Sequence, residues 1–497
     1  MHLAATSRKA TILRSDLRAC MLDGLYYAIM VGLAEVYIAP FTLRLGLGPV
    51  AAGLITTLPA LIGALLQLKA PALIRRIGSF PRFMYWCAMG QALMYLPLAA
   101  CAVAGPWLVP WFREHASIHL LTASVFVIWM AYWTFGAAAG PAWQTTVGAI
   151  IPPKVRVGYF AKRSRILHVA TLLSILFQGV LITHLVSPID AQQHVAATPT
   201  ESPTFDPILL VYAGLFIIAC GFRIASAYHL GKYSEPIISP RQERRIHPFD
   251  AVKRMKHSPD GRYLLYALSL YTTAMISGPY FNPFMVDILK ADQRPMFEAA
   301  PWLGPALSWL LAGAILGRII ALPTVGALAR RFGPRKVLAV SGLLVVPGSL
   351  FWLTTTSPIL LLVGQITFGI VWAGIELSMF LLNYVMLKPE ERTSMLTLFA
   401  AGNELGKSGG SLAGAGLFLA AGESRAAYAM VFWVSTAARI CTIPLLMRLR
   451  EPDYDLPTAS VINPGPPAAM PGERLILLEP RQSQTQHSTP SNVHKPL

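Results

Sequence analysis

Charge is scarce in this 497-residue chain: 13% of positions are Asp, Glu, Lys or Arg, against 54% hydrophobic. A soluble chain of such length carries roughly twice that charge and divides into two or three domains, so an ordinary globular protein is excluded. Cysteine is almost absent, with five positions (Cys20, Cys87, Cys101, Cys220, Cys441) at no paired short spacing. That excludes a disulfide framework or a zinc site and leaves the thiols as small packing groups in apolar runs. Catalytic motifs are lacking as well. Gly406-Lys407-Ser408 resembles the end of a phosphate-binding loop, but Ala401 stands where the first glycine is required. His115 and His119 lie four apart without the glutamate of a zinc protease beside the first. No cofactor, metal or enzymatic activity is expected.

Long apolar runs, by contrast, recur from end to end. A membrane-crossing helix takes about 20 apolar residues. The chain offers twelve such runs: 19–43, 49–68, 83–105, 118–150, 164–187, 207–231, 262–289, 303–329, 336–356, 359–387, 394–421 and 425–448. They predict an all-α polytopic membrane protein. The net charge of +17 could serve nucleic acid or an anionic surface, so the placement of the bases decides. With the N-terminus taken as cytoplasmic, cytoplasmic loops and tail hold 32 Lys and Arg, and the other face five: Arg44, Arg113, Lys290, Arg294 and Arg425. Basic loops resist translocation, so both termini are expected in the cytoplasm and no nucleic-acid partner is needed. The first run is too long for a signal peptide and carries Asp23 and Glu35.

Three landmarks occur twice in the same order. Tyr37-Ile-Ala-Pro40-Phe41 is echoed by Tyr280-Phe-Asn-Pro283-Phe284, Arg75-Arg76-Ile-Gly78 by Arg330-Arg331-Phe-Gly333, and Thr134-Phe135-Gly136 by Thr367-Phe368-Gly369. The offsets are 243, 255 and 233 residues, close to half the chain. Repetition by halves is the pattern of a carrier whose two bundles rock about a central site. The expected divisions are a cytoplasmic N-terminus (1–18), a six-helix bundle (19–231), a basic cytoplasmic linker (232–261), a second six-helix bundle (262–449) and a tail (450–497). The tail, rich in Pro, Ser and Gln, is expected to be disordered. The stretch 188–206 has no Lys or Arg and reads as an irregular external loop.

Each ionisable group inside a span costs at least ~2.5 kcal/mol by insertion scales and calls for a reason. Asp23, Asp287, Arg223 and Arg439 sit toward span ends, where snorkelling explains them. Glu35, Arg318, Glu376, Glu404 and Lys407 lie deeper. At about 100° per residue, Gln365, Trp372, Glu376 and Asn383 project to one side of span 10, a stripe suited to a cavity wall. A carboxylate there without a fixed partner can take up a proton near neutrality, which makes Glu376 the first candidate for substrate or proton binding. A static pair with Arg318 is the competing reading.

Span 7 places Tyr266, Thr273, Tyr280 and Asp287 at seven-residue steps, and Pro283 is expected to break it. Broken helices favour midplane sites. Span 1 adds Tyr27, Glu35 and Tyr37, span 4 Trp129, Trp133 and Gln144, and span 5 His168, Thr171 and Gln178, with core packing as the plainer role. In span 11, Gly402, Gly406, Gly410 and Gly414 step by four and let another helix come close. Glu404 and Lys407 on the opposite side can neutralise each other, or Lys407 can serve an anionic substrate.

Gly326-Ala-Leu-Ala-Arg330-Arg331-Phe-Gly333-Pro-Arg335-Lys336 resembles the loop motif of the major facilitator superfamily, with Pro71-Ala-Leu-Ile-Arg75-Arg76-Ile-Gly78 a degenerate copy. The loop after span 4, with Pro153, Arg156, Gly158-Tyr159-Phe160 and Arg163, is similar to bacterial members. The resemblance covers 19–449 and implies two pseudo-symmetric six-helix bundles. Arg75, Arg76, Gly78, Gly326, Arg330, Arg331 and Gly333 would then form gating loops. Tight turns anchored at anionic lipid headgroups are the alternative. Where the family usually has Asp this chain has Arg75 and Arg330, and it lacks the span-4 Arg and the span-5 glycine motif of proton-driven antiporters. A drug/proton antiporter of the usual type is therefore disfavoured.

The expected function is secondary transport of a small polar or amphipathic organic solute by alternating access. The carrier would work as a monomer in a bacterial cytoplasmic membrane. Proton linkage is expected from the buried carboxylates and the lack of a nucleotide-binding element. A transport-inactive sensor or scaffold on the same fold and a membrane-embedded enzyme are the alternatives.

Overall fold

The computed structural model describes residues 2–47, 51, 54–196, 206–236, 244–291, 294–299, 306–422 and 424–450. We number the long helices α1 (His2–Leu33), α2 (Leu58–Leu66, prolonged through Ala70–Ile77), α3 (Phe80–His115), α4 (Ile118–Ile150), α5 (Pro153–Ala196) and α6 (Pro207–Leu230). After the linker come α7 (Pro259–Ser277), α8 (Ala306–Phe332), α9 (Pro334–Leu344, followed by Gly348–Phe351), α10 (Pro358–Met386), α11 (Arg392–Ala420) and α12 (Arg425–Ile440, followed by Ile443–Met447). Nine helical segments among the described residues are long and apolar enough to cross a membrane. The remaining three expected spans fall on α5, α7 and α11, helices of 44, 19 and 29 residues. The fold is that of an all-α, multi-pass membrane protein.

Local chemistry sets the helix ends. Ser79, Ser117, Asp206, Ser258 and Ser424 each accept a backbone N–H of the first turn that would otherwise lack a partner. Gly78 and Gly333 adopt φ of +74° and +85°, the left-handed region, so each basic pair ends a helix and the chain reverses at once. The first landmark of the repeat marks a second shared device. After α1, a 3-10 turn (Glu35–Tyr37) leads into Ile38–Arg44, and after α7, a 3-10 turn (Gly278–Tyr280) leads into Phe281–Pro283. The expected break at Pro283 thus begins earlier, because Pro279 has no N–H to continue the ladder. Between Phe284 and Ile288 the winding is π-helical; the side chain of Asp287 lies outside the described residues.

Two further expectations are corrected. The second span, expected to end at 68, continues as helix through Ala70–Ile77, so Arg75 and Arg76 form the last helical turn instead of a loop. Helix α5 runs from Pro153 to Ala196, so 188–196 is helical and Arg163 is a buried helix residue, not a loop cation. Residues 197–205 and the tail from 451 lie outside the described residues.

Within the first bundle α1 packs on α5 and α6, α2 on α4, and α3 on α4 and α6; within the second, α8 and α9 pack on α10, and α7 on α11 and α12. The bundles meet through α5 with α8 and through α2 and α4 with α11. One apolar cluster joins them at the basic-loop end, where Val147, Phe160 and Ala161 lie with Leu322, Val325, Leu381 and Tyr384. At the other end each bundle has its own cluster: Phe41, Trp129, Tyr132 and Phe216 in the first, Phe284, Trp352 and Phe432 in the second.

The linker is fastened to the second bundle. Arg254, in the short helix Pro248–His257, donates to Glu391 at 2.7 Å and to Asp260 at 3.1 Å, and the Ile246 N–H reaches the Ser394 hydroxyl at 3.0 Å. The Glu391 hydrogen bond holds the Arg254 guanidinium above its ordinary pKa.

Candidate functional site

A cavity of about 230 Å³ lies between the bundles. The first bundle lines it with Trp143 of α4 and Phe160, Arg163, Ser164 and His168 of α5; the second with Leu322 of α8 and Ala373, Glu376, Leu377 and Phe380 of α10. Sites for drug-sized ligands measure about 300–1,000 Å³, so this space suits a small solute. A second cavity of about 260 Å³ lies within the first bundle, lined by Asp23, Tyr27, Trp143, Arg163 and Arg223 among others. Trp143 and Arg163 belong to both cavities and form the wall between them.

That wall is a charged network. Arg163 Nε donates to the Cys20 carbonyl at 2.9 Å and Nη2 to Asp23 Oδ1 at 3.5 Å, while its guanidinium lies 4.5 Å from the Trp143 ring. Trp143 Nε1 donates to Asp23 Oδ2 at 3.3 Å, and the Tyr233 phenol donates to the same oxygen. Burial, reinforced by the Asp23 carboxylate, raises the Tyr233 phenol well above its ordinary pKa and keeps it a donor. Two donors and a guanidinium thus satisfy a carboxylate that would otherwise be costly to bury. In the neighbouring cavity Arg223 donates to Gln91 at 2.8 Å and lies 4.9 Å from the Tyr27 ring.

These positions correct the snorkelling expectation. Asp23, Arg223 and Arg439 are 5%, 4% and 4% exposed, bonded within the protein and not reaching toward headgroups. A position near a span end gives depth along the axis but not the direction of the side chain.

Of the expected site residues, Glu376 lines the shared cavity and accepts from Arg318 Nη2 at 3.1 Å. The rest of its stripe follows the helix face but not the cavity. Gln365 sits beside Gly313 of α8, Trp372 stacks on Tyr271 at 6.3 Å, and Asn383 accepts from Tyr263 at 3.0 Å. Asn383 also donates to Gln144 of the first bundle at 3.0 Å, which makes both part of the seal at the basic-loop end. Beside them Thr145 and Thr393 meet at 2.8 Å. The Tyr384 ring lies below the guanidinium groups of Arg156 at 4.7 Å and Arg392 at 5.4 Å.

Glu35 accepts from Tyr132 at 2.6 Å in the first bundle's outer cluster and lines neither cavity. Tyr280 packs with Phe418 and Tyr428 and lines neither. Gln178 is fully buried, and neither amide atom has a partner among the described residues. Among the motif residues, Gly326 lies against Ala161 of α5, and the Arg330 guanidinium lies over Gly158 across the bundle interface. Arg76 and Arg331 are exposed and Arg75 half-buried. A Cβ on Gly406, Gly410 or Gly414 would strike α7 at 2.5, 2.1 or 2.2 Å; one on Gly402 would meet open space, so three of the four glycines make the close approach. Lys407 donates to Glu404 at 2.6 Å.

The cavity residues that sequence reasoning missed are Trp143, Phe160, Arg163 and Phe380. A signal was available: Phe160, Arg163, Ser164 and His168 recur at helical spacing, but the basic surroundings disguised the segment as a loop.

Residues 263–476 match the family model of the Major Facilitator Superfamily. No curated protein matches the chain in sequence. Among solved structures, a bacterial homologue of the iron transporter ferroportin in an outward-facing state aligns with a TM-score of 0.62 at 13% identity, over 87% of this chain and 99% of that one. The transporter FucP in its outward conformation, the fucose:proton symporter of E. coli, aligns at 0.60 and 12%, over 88% and 99%. The human organic anion transporter MFSD10 aligns at 0.56 and 13%, again over 88% and 99%. At such identity these likenesses speak for the fold alone.

Proposed function

This chain has the Major Facilitator Superfamily fold, a membrane-transporter fold, and on that premise we propose that it is a secondary carrier working by alternating access. It moves a small polar or amphipathic organic solute across a bacterial cytoplasmic membrane, with both termini in the cytoplasm and protons as the coupling ion. The observation that carries this reading is the cavity shared by two bundles that are joined at the basic-loop end and keep separate cores at the other. With basic loops inside, this is an outward-facing arrangement. Rocking the bundles about the cavity exchanges one seal for another, and a solute bound to both walls commits that motion.

Glu376 supports proton linkage, since it is an acid on the cavity wall whose Arg318 partner comes from its own bundle. Protonation releases that pair without disturbing the seal. In proteoliposomes the wild-type protein is expected to show counterflow that responds to an imposed pH gradient. Glu376→Gln is expected to lose the gradient response and at least about tenfold of uptake. Unchanged uptake and pH dependence in that variant would remove Glu376 from the mechanism.

A further inference from the structure

Each bundle presents the shared cavity with one charged group that is only half engaged. On α5, Arg163 commits Nε to the Cys20 carbonyl and Nη2 to Asp23; Nη1 has no hydrogen-bond partner among the described residues and keeps solvent contact. On α10, Glu376 commits Oε1 to Arg318, its Oε2 has no partner among the described residues, and its side chain is 41% exposed. Between them stand the rings of Trp143, Phe160 and Phe380, the last two with centroids 4.6 Å apart. Each cavity-facing charge is already balanced on its own bundle, Arg163 by Asp23 and Glu376 by Arg318. The lining therefore holds opposite charges on opposite walls, with no net charge to neutralise.

From this we propose the substrate class: a small amphipathic zwitterion of amino-acid type. Its carboxylate meets Nη1 of Arg163, its ammonium meets Oε2 of Glu376, and its apolar body lies against the three rings. A solute with one net charge would bring an uncompensated ion into a closing, dry cavity, which is costly. A neutral sugar would leave Nη1 of Arg163 and Oε2 of Glu376 without a charged partner. A zwitterion adds no net charge and ties one wall to the other, so it binds best when the bundles close on it. The inference rests on the carrier reading above and sharpens it.

The test is counterflow into proteoliposomes with aliphatic and aromatic amino acids, their decarboxylated amines, their deaminated acids and neutral hexoses. One or more amino acids are expected to move at least about tenfold faster than either singly charged analogue. Glu376→Gln, close in shape, is expected to lose amino-acid counterflow while narrowing the preference over the deaminated acid. Quenching of Trp143 fluorescence by the amino acid in detergent, absent in Trp143→Phe, reports binding independently of transport. Faster movement of the amine, the acid or the hexose overturns the zwitterion assignment and leaves the carrier reading standing. Failure of every class to move, by protein that is folded and inserted, overturns both.

Discussion

Arg439 shows how a single charge is accommodated in this protein. Its Nη1 donates to the Val345 carbonyl at 3.1 Å, and Nη2 to the Ala274 carbonyl at 3.4 Å and the Ser277 hydroxyl at 3.0 Å, tying α12 to α7 and to the segment after α9. Arg439→Leu removes three donated bonds while each acceptor keeps another partner, so the expected cost is about 0.5–1.5 kcal/mol per bond. A lower unfolding temperature in detergent is the expected outcome, and an unchanged one would show that these bonds add nothing. Residues of this kind were the hardest to read from sequence. Glu376 stands out because an isolated acid in a long apolar run has few explanations. Arg163 does not, since five Lys or Arg between 154 and 165 resemble an ordinary basic loop. Asp23 and Arg223 were visible as charges, but their burial depends on Trp143, Tyr233 and Gln91, which only the tertiary fold brings to them.

Among the elements, the α7–α11 pair is the most constrained by its side chains. The backbone of α7 at Thr272 and Ile276 lies where a Cβ on Gly410 or Gly414 would be, so the helices meet nearly backbone to backbone. Gly410→Leu cannot be absorbed by a rotamer change and is expected to separate the pair, lowering both the yield of folded protein and its thermal stability. Gly402→Ala, with open space around it, is the matched control and should be silent. The stripe of small residues was legible because its four-residue step is a property of the helix itself. Helix limits were less so: Lys and Arg are good helix formers, so α5 continues through the basic segment that hydropathy alone assigns to a loop. The second span likewise runs past its apolar run, through Arg75 and Arg76 to Ile77.

For the molecule as a whole, the twofold repeat was visible in three short landmarks, and the structure gives two of them shared forms: a 3-10 turn ending in Tyr, and a glycine of positive φ after the basic pair. The mutual placement of the bundles was not visible, because contacts such as Thr145–Thr393 join residues 248 apart with nothing local to announce them. That contact offers a direct test of the sealed end. In a background without the native cysteines, Thr145→Cys with Thr393→Cys should cross-link on oxidation and arrest counterflow, and reduction should restore it. Cross-linking without arrest would mean that this end need not open. The seal also has an unusual chemical make-up. Its named contacts are a hydroxyl pair, an amide pair and two guanidinium groups over one phenol ring, and not acid–base bridges. Mobile electrolyte weakens separated ions, whose screening length shrinks from ~30 Å at ~0.01 M to ~3 Å at ~1 M, but hardly touches contacts made at van der Waals range. The share of molecules caught by the 145–393 cross-link should therefore stay level as potassium chloride is raised across that interval, making the resting posture of the protein indifferent to the saltiness of its surroundings.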